Sequence, residues 1–457
     1  MTGETIVIVG AGPAGTRAAE TLVRAGLRPV VIDEAPFSGG QIYRRQPPGF
    51  TRPPESLYGF EAGKAKSVHA AFDALSGKVD YRPDTLVWEI RDGKVHTIAN
   101  GSNARAQLPY DALILATGAM DRVIPFPGWT LPGVYTLGGA QIALKFQGCG
   151  IGSKVVFAGS SPLLTLVAYQ YAKAGATVAA VIDTAPFAAK LQALPDLARG
   201  GATFAKGLYY TAWLKMRGIP MFSGATLVRA EGEQGIARLV WRGAGGDERS
   251  TDCDALGFGF GLKSETQLAD LVGVPFVFDE GQRQFVPQAD PAGRTPVKSV
   301  YVCGDGAGIR GADAAELAGE RAALALLADR NLPHDRGRAA SIDASLARLA
   351  RFRRGIERAF PFPEAMARAV ADETVVCRCE AVTAGEARKW MRELGARELN
   401  RLKAFSRVGM GRCQGRVCGT PIAEIVAQEC GLGLEQAGRL RGQPPVKPIP
   451  LDPGPEE

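Results

Sequence analysis

The chain has 457 residues, 46% of them apolar and 22% charged, an ordinary balance for a globular protein of roughly three units at about 150 residues each. Its formal charge of +7 is spread among acidic residues without a basic tract, which argues against nucleic acid and leaves a solvated surface or a face for an acidic protein. No run of about 18 apolar residues occurs, so no transmembrane helix is expected, and an N-terminus entering a strand at once, without a basic segment or cleavage site, reads as cytoplasmic.

The segment TIVIVGAGPAGTRAAETLVRAGLRPVVIDEA, 5–35, reads as strand, glycine turn, helix, strand. Gly10, Gly12 and Gly15 form G-x-G-x-x-G. Gly10 makes the tight turn, Gly12 lets the backbone approach a pyrophosphate, and Gly15 lets the helix pack close to the strand, with the helix N-terminus toward the phosphates. Asp33 closes the second strand about 20 residues on, where it would accept a hydrogen bond from an adenosine ribose hydroxyl. The alternative is a purely structural glycine turn. SGGQIYRR (38–45) is a second glycine loop. YDALILATGAMDR (110–122) is an apolar strand ending in Ala116-Thr117-Gly118.

A second strand–helix–strand unit runs over 154–183. It keeps Gly159, but Ser161 and Leu164 replace the other two glycines. A serine side chain restricts the approach of a pyrophosphate and Leu164 spreads helix from strand, so a structural remnant is favoured over a working NAD(P)H site. TPVKSVYVCGDGAG (295–308) is a buried strand ending in Gly304-Asp305. Residues 331–372 read as a helical connector interrupted at Pro361 and Pro363. The tail 442–457 holds too many prolines for a helix. It is either frayed or an extended arm over this subunit or a partner.

Eight cysteines in a cytosolic chain point to working thiols or small buried residues rather than to disulfides. Four of them make the pattern C-x-C, 33 residues, C-x4-C, at Cys377, Cys379, Cys413 and Cys418. In a straight strand Cys377 and Cys379, two residues apart, would line one face, and their shared ligation of one iron is expected to come with a bend of the backbone at Arg378. Thiolates suit zinc or an iron–sulfur cluster. Gly409, Gly411, Gly415 and Gly419 would let N–H groups turn toward sulfur, and Arg378, Arg412 and Arg416 would offset thiolate charge. Unliganded cysteines, a structural zinc and a [2Fe–2S] cluster are the three readings. Cys149, Cys253, Cys303 and Cys430 read as small buried residues. The three histidines lie beside no motif, thin equipment for acid–base chemistry.

The order of the first fingerprint, the Ala-Thr-Gly segment and the Gly-Asp segment resembles the two-dinucleotide-domain flavoproteins that include thioredoxin reductase and the glutathione reductase relatives. That resemblance implies an FAD site formed by Gly10, Gly12, Pro13, Ala14, Gly15, Asp33 and Glu34, with Gly40, Gln41, Val87, Thr117, Gly118, Gly304 and Asp305. The redox cysteine pair of the disulfide reductases is missing, and the lone Cys149 cannot cycle as a dithiol. The C-x-C…C-x4-C set resembles the [2Fe–2S] domain of the bacterioferritin-associated ferredoxin type.

Together with FPGWTLPGVYTLGGAQ (126–141) and the tail PPVKPIPL, the whole order resembles the larger subunit of the opine oxidase/dehydrogenase, hydroxyproline dehydrogenase and hydrogen cyanide synthase family. The resemblance implies an α/β fold of two Rossmann-like domains plus a small, mainly helical [2Fe–2S] domain. Its divisions would be 1–119 with 259–330 for FAD, 120–258 for the degenerate unit, 331–372 for the linker, 373–441 for the cluster domain and 442–457 for the tail. It further implies an electron-transfer subunit of a dye-linked amino-acid or opine dehydrogenase. A separate glycine-oxidase-like FAD subunit would oxidise the C–N bond, with FMN at the interface, a small third subunit, peripheral membrane association through the complex and a respiratory acceptor. Relatives hold NAD or ATP in the first site. The other functional readings are a stand-alone NAD(P)H-dependent flavin oxidoreductase and a zinc scaffold retaining a nucleotide.

Overall fold

A computed structural model describes residues 4–50 and 52–451. Ile6–Val9 is four consecutive buried apolar residues, the pattern of a strand covered on both faces. It is the middle of a parallel five-stranded sheet in the order Val300–Val302, Ala112–Leu115, Ile6–Val9, Val30–Ile32, Asp80–Arg82. The helix Pro13–Arg24 follows the glycine turn and packs against the helix Ala312–Asp329. A Cβ on Gly319 would lie 1.9 Å from the Ala14 carbonyl oxygen, so these two helices touch backbone to backbone.

A second parallel sheet has the order Met221–Ser223, Thr177–Asp183, Lys154–Gly159, Ala255–Gly259, Val134–Thr136. Each parallel sheet is accompanied by a three-stranded antiparallel one, Thr85–Arg91 to Arg105–Pro109 and Thr226–Glu231 to Glu248–Asp252. Two short strands, Ala119–Asp121 and Leu262–Ser264, pair antiparallel where the chain crosses between the units. This is the doubly wound architecture expected from the two strand–helix–strand rhythms.

The connector is the helix Arg336–Ala359, which stops before Pro361 and Pro363 and resumes as Glu364–Arg368. The C-terminal unit has one small hairpin and four helices, Ala384–Leu394, Leu399–Ser406, Gly419–Cys430 and Leu434–Ala437. Thr383 and Glu386 form a capping box at the first of these, with Thr383 Oγ1 accepting from the Glu386 N–H and the Glu386 carboxylate accepting from the Thr383 N–H. Its core is compact for its size, built on Leu402, Ile422, Ile425 and Val426.

The described part of the tail lies along the first unit. The Val446 N–H donates to the Trp88 carbonyl at 3.1 Å, Val446 is buried, and Lys447 pairs with Glu34. Residues 452–457 of the anticipated arm lie outside the described residues. Among the described residues no helix is long and apolar enough to cross a membrane.

Candidate cofactor sites

The first glycine loop is held open by backbone contacts that exclude side chains. Gly10 takes φ +107°, and a Cβ there would sit 2.4 Å from the Ala116 carbonyl oxygen. At Gly15 it would sit 1.8 Å from the Gly10 carbonyl oxygen, so helix and strand can meet only with glycine between them. Gly12 faces the Gly40 Cα, 3.5 Å from where a Cβ would stand. The loop 38–45 thus closes over the first loop and leaves the helix N-terminus free of side chains. Pro13 and Ala14 are buried in the first helical turn, and Gly304 comes within 2.8 Å, by a Cβ placed on it, of the Ala14 Cβ.

The Asp33 carboxylate accepts from the Ala11 N–H at 2.5 Å and from the Ala35 N–H at 2.7 Å. Burial pushes its pKa up against those two N–H groups, which pull it down. Arg44 supplies positive field beside Asp33, and its Nε is buried without a hydrogen-bond partner. Buried unpaired donors are costly, and a cation of this kind beside two glycine loops suits an anionic diphosphate. Glu34 is engaged by Lys447, and the exposed Gln41 accepts from Arg44 at 2.5 Å. Val87 is buried in the core with Val7, Val9 and Ile32. Only its main chain is left to serve a nucleotide. Asp305 accepts from the N–H groups of Arg310 and Gly311, at 2.8 and 3.0 Å.

The second unit is closed. Asp183, at the strand end where a ribose partner would sit, pairs with Lys190 and accepts from the Ala185 N–H. Lys190 also lies 5.3 Å from the centre of the Phe360 ring, at the end of the connector helix. Leu164 is fully buried, and the hydroxyls of Ser160, Ser161 and Thr184 are buried without partners. The decayed fingerprint thus has a buried leucine in place of its third glycine, and its strand-end carboxylate is engaged by Lys190.

The strand Val375–Cys377 carries a bulge and ends at Cys377, after which Arg378 enters a turn. The bend anticipated at Arg378 is present: the strand ends at Cys377, and Cys379 lies in the turn that follows. The four cysteines lie close enough to act on one another, Cys418 beside Cys377 and Cys413, and Cys413 beside Cys379, with the backbone of Gly409 and Glu380 near Cys377 and that of Val417 and Gly415 near Cys413. The Cys418 thiol pulls Cys377 down to about 6 and Cys413 to about 5, while Cys418 itself is pushed up by its thiolate neighbours and burial. A Cβ on Gly411 would lie 2.2 Å from the Cys379 Cβ, so only glycine admits that approach.

Among the described residues no three His, Cys, Asp or Glu side chains are drawn together as a closed metal site. The four cysteines lie near one another around the glycine-rich loop of Gly409, Gly411 and Gly415. Four neighbouring thiols, two of them with lowered pKa, are soft ligands in a glycine-lined loop, a donor set that fits a [2Fe–2S] cluster. Of the three nearby arginines, Arg412 is exposed, Arg378 lies over the Trp129 ring at 5.8 Å, and Arg416 is paired with Glu265. Cys253 and Cys303 are buried as expected, but Cys149 is exposed because it lies in the surface loop after Gly148.

Residues without a sequence motif join the two sites. Thr117 Oγ1 donates to the Glu265 carbonyl at 2.6 Å, and the Glu265 N–H donates to the Gly118 carbonyl at 3.0 Å. The Glu265 carboxylate accepts from Arg416 Nε at 2.6 Å, within the C-x4-C loop. Lys263, on the same segment, feels Cys418 and Cys413; burial pulls its pKa down to about 8 against their field. Around this contact the C-terminal unit is fixed by Trp129 Nε1 to the Val375 carbonyl at 2.6 Å, Gln267 to the Gln414 carbonyl at 2.6 Å and Arg439 to Asp270 at 2.7 Å.

Residues 4–322 match the pyridine nucleotide-disulphide oxidoreductase family and residues 375–428 match the BFD-like [2Fe–2S] binding domain. The chain is 38% identical to an opine oxidase subunit of Agrobacterium tumefaciens (strain Ach5), over 98% of this chain and 90% of that one. It is 33% identical to the HcnB subunit of hydrogen cyanide synthase from Pseudomonas aeruginosa, over 97% of each. The fold is similar to that of L-proline dehydrogenase from P. horikoshii, with a TM-score of 0.71 and 19% identity, over 98% of this chain and 78% of that one.

Proposed function

The chain belongs to the pyridine nucleotide-disulphide oxidoreductase family, in the group with the opine oxidase and HcnB subunits that ends in a BFD-like [2Fe–2S] domain, and from that membership we propose that it is the electron-transfer subunit of a heteromeric, dye-linked amino-acid or opine dehydrogenase. It is an oxidoreductase that carries a flavin-type dinucleotide domain and an iron–sulfur domain. Bound in these sites, FAD would accept electrons in pairs and the [2Fe–2S] cluster would pass them on singly.

Gly10, Gly12 and Gly15 present bare backbone and a helix N-terminus to the diphosphate, with Arg44 as the nearby cation. Asp33 braces that loop and faces the ribose, and Asp305 orders the turn that holds the ribityl side. Thr117 and Gly118 set the crossover beside the ring. Cys377, Cys379, Cys413 and Cys418 ligate the cluster. NAD or ATP shares the ADP moiety these residues recognise, and the loops at Gly40 and Gly304 favour FAD. The C–N bond is oxidised on a glycine-oxidase-like FAD subunit, with FMN between the subunits, a respiratory acceptor and a small third subunit. Weak peripheral membrane contact belongs to the complex.

The observation that carries this reading is the short hydrogen-bonded connection from Thr117 through Glu265 to Arg416, which ties the dinucleotide site to the cysteine loop. The second unit, with Asp183 paired to Lys190 and Ser161 and Leu164 in place of two fingerprint glycines, argues against a stand-alone NAD(P)H-driven enzyme. The test is dye reduction by amino acids or opines, with this chain alone and with its gene-neighbour partner. The reading requires activity from the pair and none from the chain alone. Rapid bleaching of the isolated chain's flavin by NAD(P)H would refute it.

A further inference from the structure

We propose that the segment Lys263–Glu265 is an electrostatic bridge between the two cofactor sites, Lys263 raising the reduction potential of the cluster and Glu265 restraining it through Arg416. The inference rests on the flavin-and-cluster reading above.

Glu265 is fastened at both ends. Its main chain is bonded to Thr117 and Gly118, and its carboxylate to Arg416 at 2.6 Å. A Cβ placed on Gly306, in the turn after the Gly-Asp segment, would lie 2.7 Å from Thr117 Oγ1 and 3.5 Å from the Glu265 carbonyl oxygen. Two segments assigned to the dinucleotide site, Thr117-Gly118 and the turn at Gly306, therefore converge on Glu265. Arg416 stands between Cys413 and Cys418, and it also donates to the Val446 carbonyl at 2.5 Å.

Lys263 lies two residues before Glu265, on the same side of an extended segment. Its position is set by the pairing of Lys263 with Met120 in the crossover strands. The Lys263 ammonium lies 3.9 Å from where a Cβ on Gly419 would stand, next to Cys418 at the start of the helix Gly419–Cys430. Reduction adds one negative charge to a cluster already held by four thiolates. A lysine ammonium beside Gly419, next to the ligand Cys418, favours that reduced state. Arg416 contributes less, because Glu265 offsets its charge at contact distance. The two side chains therefore act in opposite senses, and neither needs to touch the flavin.

The test is an EPR-monitored redox titration of the full-length, cofactor-loaded protein. Lys263→Met is expected to make the cluster about tenfold harder to reduce, about 59 mV for a one-electron couple. Lys263→Arg restores the wild-type value. Glu265→Gln moves the potential upward, because Arg416 is no longer offset. If Lys263→Met fails to load the cluster, an upward shift in Glu265→Gln that is absent from the charge-conserving Glu265→Asp still decides the matter, since water admitted to a damaged site would raise the potential in both. Unchanged potentials, or shifts of the same sign in Lys263→Met and Glu265→Gln, overturn the inference while the wild-type signal upholds the cofactors. A wild-type protein without a cluster signal overturns the cofactor reading and this inference with it.

Discussion

Arg283 meets both oxygens of the fully buried Glu424, at 2.8 and 3.0 Å. The two residues lie 141 positions apart, one in the dinucleotide domain and one on the helix Gly419–Cys430. Arg368 of the connector approaches the same carboxylate at 3.4 Å. One buried acid thus gathers three parts of the chain, and it keeps the cysteine set docked on the crossover.

Removing one member of such a buried pair leaves an uncompensated charge. Arg283→Ala is expected to cost about 3 kcal/mol and to expose the connector around 360–374 to trypsin. Glu424→Leu costs less, because Arg283 and Arg368 are partly solvated and both still reach Glu364, at 2.9 and 2.6 Å. Denaturant unfolding and limited proteolysis of the two variants check the order.

Two glycines of one motif separate fold from binding. Gly12 has φ −73°, which alanine adopts freely, and its nearest neighbour is at ordinary contact distance. Gly12→Ala should leave the apoprotein unchanged or more stable by about 0.5 kcal/mol, yet lower flavin affinity by roughly tenfold or more by blocking the diphosphate. Gly15→Ala cannot be accommodated, with a Cβ 1.8 Å from a carbonyl oxygen, and should lose the folded protein. Apoprotein melting and flavin titration distinguish the two.

Lys145 is buried, with its ammonium 3.3 Å from the Ile42 carbonyl. Burial, and to a lesser degree Arg44, lowers its pKa from 10.5 to about 8. Below pH 8 the folded state therefore carries a charge it holds poorly. Between pH 8 and 10.5 the unfolded chain binds more protons, so this contribution to stability rises with pH. Lys145→Met is expected to gain about 3 kcal/mol at pH 7, an advantage that fades between pH 8 and 10.5. Urea unfolding of both proteins at pH 7, 8, 9 and 10 measures it.

The parallel cores are legible in the sequence because their signals are local. A buried apolar strand, a glycine turn and an amphipathic helix occupy about 30 neighbouring residues, and Gly10 and Gly15 answer to backbone contacts that exclude a side chain. The cysteine set is legible by spacing, and the structure places a turn at Arg378 between its first two members. What joins the sites is not legible. Glu265 and Arg416 are 151 residues apart, and Lys263 is one lysine among many. Their roles exist only once the crossover strands bring them beside Cys418. Arg378 and Arg412 show the converse. Proximity in sequence suggests charge compensation, but one stacks on Trp129 and the other points to solvent. Cys149 is exposed for a similar reason, since the placement of its loop is decided by tertiary packing.

The most direct measurement is EPR of the dithionite-reduced protein, prepared anaerobically, with iron, sulfide and zinc assayed on the same sample. The account predicts a rhombic signal from a reduced [2Fe–2S] cluster, with about two irons and two sulfides per chain, and loss of that signal in Cys413→Ser. A silent spectrum with about one zinc per chain would contradict it.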